Sequence, residues 1–113
     1  MKIKKIKIPI YFGKLVIIFT DNLDEVVDKY KLILKGNEYD AFVWEDSIKD
    51  EFLVAIKNNK FSVIAHEAVH LVNYIFRKRG VILDTNNDES QAYLTGFIVN
   101  EIDKFLKQIE KEK

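Results

Sequence analysis

The stretch Lys60-Phe61-Ser62-Val63-Ile64-Ala65-His66-Glu67-Ala68-Val69-His70-Leu71, continued through Val72-Asn73-Tyr74-Ile75-Phe76-Arg77-Lys78-Arg79 to Gly80, is the part of the sequence from which the fold can be worked out. Its signals agree on a helix from about Lys60 to Arg79. Asn58 and Asn59 stand before it as capping residues. Arg77, Lys78 and Arg79 fill the last turn, where cations suit the negative end of the helix dipole, and Gly80 supplies the stop.

On the C-terminal side, Val81-Ile82-Leu83 is a short apolar connector and Asp84-Thr85-Asn86-Asn87-Asp88 is polar and turn-rich. A last helix is expected from about Asp88 to Ile109, with Ala92, Tyr93, Phe97, Ile98, Ile102, Phe105 and Ile109 on one stripe. On the N-terminal side, residues 40–46 and 51–57 read as strands whose short connection favours antiparallel pairing. Residues 2–8 and 14–20 read as an earlier pair, turned at Gly13, with Ile6, Ile8 and Ile10 alternating with Lys5 and Lys7. Between the pairs, Asp21 or Asn22 caps a helix carrying Leu23, Val26, Val27, Tyr30 and Ile33, with Gly36 placed to end it. The order is ββαββαα. The expected class is α+β, a small and mainly antiparallel sheet with two long helices.

Composition bounds the function. The 113 residues suit one domain, 1–113. Hydrophobic residues at 48% and charged residues at 32% exclude a disordered or fibrous chain. Eighteen basic residues balance eighteen acidic ones, so the surplus that nucleic-acid binding requires is lacking. The chain has no cysteine, which excludes disulfides, thiolate zinc sites and a thiol nucleophile. Its longest apolar run, Leu15 to Phe19, is far short of a membrane span, and no membrane partner is expected. Lysines break the N-terminal isoleucine-rich stretch, so it does not read as a signal peptide, and the expected location is the cytoplasm.

The chemistry lies in His66-Glu67-Ala68-Val69-His70. Residues four apart on a helix share a face, so both imidazoles can reach one metal ion. Glu67 stands beside them as a general base, the HExxH arrangement of zinc hydrolases. A catalytic Zn2+ usually takes three protein ligands. Glu89, separated from His70 by 18 residues and opening the last helix, is the foremost candidate for the third. Asp84 and Asp88 are the other carboxylates in that region. Asn86 and Glu89 also read as a capping box.

HExxH, 18 residues and a glutamate at a helix start resemble the gluzincin metallopeptidases, the clan of thermolysin and the zinc aminopeptidases. The motif resemblance spans residues 61–97, and more weakly 41–57. It implies a zincin-like N-terminal subdomain with an active-site helix and a glutamate helix. It also implies Zn2+ held by His66, His70 and Glu89, Glu67 as base, and peptide or protein as substrate. Asp88 would support a zinc histidine, and strand 41–44 would be the substrate-binding edge. Larger members draw an oxyanion donor from a further subdomain. Here Tyr93 or Tyr74 could take that role, although both also read as core or rim aromatics, or a protein partner could complete the cleft. The other expectation carried forward is a non-catalytic metal-binding module that acts in interaction or regulation.

Overall fold

Two runs, Leu15-Val16-Ile17-Ile18 and Glu51-Phe52-Leu53-Val54-Ala55-Ile56, are buried at every position. Apolar runs without alternation belong to strands covered on both faces. The computed structural model, which describes residues 1–113, places them side by side at the centre of a four-stranded sheet. The strands are β1 (Lys2–Lys7), β2 (Lys14–Phe19), β3 (Ala41–Asp46) and β4 (Glu51–Ile56), in the order β1-β2-β4-β3. Both hairpins pair antiparallel as expected, and β2 runs parallel to β4, from Lys14 opposite Glu51 to Phe19 opposite Ile56. The sheet is therefore mixed, with two antiparallel pairings and one parallel. The helices are α1 (Leu23–Tyr30), α2 (Phe61–Arg79) and α3 (Glu89–Lys111), and a short 3-10 turn covers Gly36–Glu38. The α+β class and the order of strands and helices stand.

Alternation assigns the faces. Leu15, Ile17, Phe52, Val54 and Ile56 meet Ile64, Ala68, Leu71, Val72 and Ile75 of α2, with Leu94, Ile98, Ile102 and Phe105 of α3. Each such side chain withdrawn from water contributes about 1.5–3 kcal/mol before conformational entropy is charged. Val16, Ile18, Leu53 and Ala55 form the other face under Leu23 and Val26 of α1, edged by Tyr30, Phe42 and Trp44.

α1 begins as expected, with Asn22 Oδ1 accepting from the Asp24 amide. It stops earlier than Gly36. Lys31 takes a left-handed conformation (φ 55°) and its amide closes on the last turn. Ile33, placed on the helix stripe by its spacing, is fully exposed. Gly36 serves a different need, because a Cβ there would lie 2.6 Å from the Leu23 carbonyl oxygen. This close approach lets the Leu23 amide donate to Asn37 Oδ1 at 2.9 Å.

α2 ends at Gly80 (φ 70°), a conformation that a side chain would strain. Its last residue ties it to the sheet. Arg79 Nη2 lies 2.7 Å from both carboxylate oxygens of Asp50, and the Arg79 Nε donates to the Tyr11 carbonyl. At the same end of the sheet, the β1–β2 connection holds Ile10 (φ 69°) and Phe12 (φ 66°) in left-handed backbone. For residues with a Cβ this conformation costs about 1–2 kcal/mol each. No helix is long and apolar enough to cross a membrane.

Candidate functional site

α2 projects Ser62, His66, His70 and Asn73 along one stripe by the three- and four-residue repeat of the helix. The inward-turned residues of its other side, Ile64, Ala68 and Leu71, lie in the core and fix that orientation. The two imidazoles meet at the surface. Their Nε2 atoms are 3.2 Å apart, with ring centroids at 4.8 Å and planes inclined by 72°. The distance lets one ring donate to the other, the direction depending on the tautomer. It is also close to the roughly 3.3 Å between two corners of a tetrahedron with zinc–nitrogen bonds of ~2.0–2.1 Å.

Glu67 lies beneath the pair. Only 6% of the residue is exposed, and Oε1 stands 3.9 Å from His66 Nε2. Burial pushes its carboxyl above the ordinary carboxylate value, while His66 and His70 pull it down by less. The result is a carboxylate that holds a proton more readily than a free one.

A shallow concavity of about 350 Å³ opens beside these groups, lined by Asp40 and Ala41 together with Ser62, Val63, His66 and Glu67. Ala41 begins β3, an edge strand whose outer backbone groups have no strand partner. Sequence reasoning found the histidines and Glu67, since they lie within one helical turn. It missed Ser62 and Asp40. Ser62 is four residues before His66 and could have been found by extending the stripe backwards. Asp40 arrives through the tertiary packing of β3 against α2, which no local pattern encodes. Asn73 was missed as well, and its Oδ1 is buried with no hydrogen-bond partner.

The expected third ligand does not join the site. No three His, Asp or Glu side chains are placed to hold one metal ion together, so His66, His70 and Glu89 do not close around a common point. Glu89 is exposed at the first residue of α3, after an exposed connection that turns on Asp84. The capping box is not formed either: Asp88 is the N-cap, and no side chain caps that end. Tyr93 lies elsewhere. It is exposed and lines a separate apolar groove with Phe61, Ala92, Gly96 and Phe97. Tyr74 lies half-buried against the core, with the Arg77 guanidinium over its ring.

Searches against protein-family models, curated proteins and solved structures find no match to this chain. With neither a relative nor a closed three-ligand centre to support it, the gluzincin assignment is withdrawn, and what stands is a histidine pair over a buried glutamate on an α+β scaffold.

Proposed function

We propose that this surface is a metal-dependent hydrolytic site acting on peptide bonds, with Glu67 as general base. The observation that carries the reading is the pair of opposed Nε2 atoms, 3.2 Å apart, above a buried carboxylate. His66 and His70 would hold Zn2+ through these nitrogens, leaving the remaining positions to solvent and substrate. Bound there, such an ion supplies electrophilic charge and lowers the pKa of water toward ~7.

The chain's own groups supply the proton handling. Glu67, whose Oε1 stands 3.9 Å from His66 Nε2, would accept a proton at its carboxylate and pass it to a leaving amine. The free edge of β3 supports an extended peptide as substrate. Added there as a fifth strand, it would run past Asp40 and Ala41 into the concavity beside His66.

Zinc titration by calorimetry tests the first element, with one ion per chain expected and a loss in His66→Ala and His70→Ala. Peptide-library cleavage tests the second, with turnover about 10²-fold lower or less in Glu67→Gln at unchanged zinc affinity. Equal cleavage by wild type and Glu67→Gln overturns the catalytic reading. A second reading, a metal-binding module without turnover, is favoured by the place of Tyr93, which lines a separate groove and leaves the histidine pair without the expected oxyanion donor. It predicts zinc binding with no cleavage of any library member. Zinc affinity in Glu89→Ala then decides whether that carboxylate joins the ion in solution, where a loss of tenfold or more would place it there.

A further inference from the structure

The β1–β2 connection carries side chains that the fold does not use. Ile10 and Phe12 occupy left-handed backbone, which asparagine or glycine would take with less strain. Both side chains nevertheless leave the protein, with Ile10 71% and Phe12 76% exposed. A third apolar residue stands at the same end of the sheet. Ile48, 98% exposed, tips the tight turn from β3 to β4, where Asp46 Oδ1 accepts from the amides of Ile48 and Lys49 at 3.1 Å each. The strand register sets the two connections side by side: Lys7 pairs with Lys14, Lys14 with Glu51, and Glu51 with Asp46.

This end carries Lys7, Lys14 and Lys49 together with the acidic Glu45, Asp46, Asp50 and Glu51, of which Glu51 is buried in its pair with Lys5. Lys7, Lys14 and Lys49 line, with Phe12, a concavity of about 380 Å³. The carboxylate beside them, Asp50, is held by the Arg79 guanidinium, and Asp46 is engaged in capping its turn. The acidic residues Asp21, Asp24 and Asp40 belong to the opposite end, where β2 finishes and β3 starts.

We propose that this end of the molecule docks on an anionic phospholipid bilayer. Ile10, Phe12 and Ile48 enter the interfacial layer, and Lys7, Lys14 and Lys49 meet lipid phosphates. Charge complementarity selects the partner's sign. The form of the surface selects its kind, because single apolar side chains projecting from turn tips suit a deformable layer into which each can sink. The Arg79–Asp50 clamp makes the platform rigid by joining the β3–β4 turn to α2 and, through the Tyr11 carbonyl, to the β1–β2 connection. The expectation of no membrane partner rested on the absence of a spanning segment, which concerns crossing and leaves surface contact open. On α2, His66 and His70 stand thirteen and nine residues before Arg79, about 20 and 14 Å along the axis at 1.5 Å per residue. A docked molecule therefore holds the histidine pair away from the lipid, whatever that pair does.

Co-sedimentation with vesicles tests this, using phosphatidylcholine alone and phosphatidylcholine with roughly 30% phosphatidylserine. The full chain is expected to partition at least tenfold more strongly to the anionic vesicles, and to lose most of that binding as salt is raised. The key variant is Ile10→Asn with Phe12→Asn, which suits the left-handed backbone, keeps the fold and loses the binding at least tenfold. Lys7→Glu with Lys49→Glu is expected to do the same. Equal sedimentation with both vesicle types overturns the proposal, as does unchanged binding by the asparagine variant. A lipid-free dimer that the asparagine substitutions dissolve, with no vesicle binding in the wild type, would assign the surface to a second copy of the chain instead.

Discussion

Glu67 ties the candidate chemistry to stability, and the sign of that link can be worked out. Its folded-state carboxyl is raised by burial, so the folded chain binds a proton over a range where the unfolded chain has released it. Its unfavourable contribution is absent below the unfolded value and develops as pH rises toward and through the folded one. Stability of the metal-free protein should therefore fall across that window. Glu67→Gln should flatten the slope and make the protein more stable than wild type at neutral pH, by urea unfolding at a series of pH values in chelator. Arg79 should act in the opposite sense. Arg79→Ala removes the two contacts to Asp50 and the bond to Tyr11, a loss of about 1–2 kcal/mol after allowance for the partial exposure of Asp50. The residues of the site were legible in the sequence to the extent that their geometry is local. His66, Glu67 and His70 fall on one turn of one helix. Glu89 depended on the path of residues 80–88, and nothing in those residues states how closely the next helix returns.

Among the elements, the helices show why local signals fix starts and stops unevenly. Gly80 ended α2 as its neighbours implied, because the basic last turn and the following apolar residue agree with it. Gly36 misled, since a glycine marks either a helix stop or a close approach, and here the Leu23 carbonyl is the reason for it. The actual stop is Lys31, a residue that does not favour its φ of 55°. Lys31→Gly should therefore raise stability by about 1 kcal/mol, visible as a higher Tm. Gly96 shows a third case. A glycine inside a helix can mark a close approach, yet a Cβ at Gly96 in α3 would meet nothing within 4 Å. Gly96→Ala should stabilise α3 by about 1 kcal/mol, measured in the same melt. If it reduces peptide cleavage while raising Tm, the open groove beside Phe61 and Tyr93 takes part in binding.

For the whole molecule, the outer edge of β1 bears on solution behaviour. Lys2, Lys4, Lys5 and Lys7 line a strand with a free edge, and such charges oppose edge-to-edge pairing between molecules. Replacing Lys2, Lys4 and Lys7 by threonine, while keeping Lys5 in its 3.1 Å pair with the buried Glu51, should yield concentration-dependent association by light scattering. The first hairpin could be read from the alternation of Ile6, Ile8 and Ile10 with its lysines and the turn at Gly13, and the second from its short connection. Their joining could not, because a parallel contact between the first and second hairpin leaves no local mark.

The β2–β4 seam has a kinetic consequence. Lys14 and Glu51 are 37 positions apart (51 − 14), and no turn brings them together. Each hairpin can zip by itself, but the seam must wait for an intervening loop to close, and loop closure is the slow and entropically unfavourable part of assembly. Backbone amides along that seam should be the last to gain protection from solvent deuterium when the chain refolds.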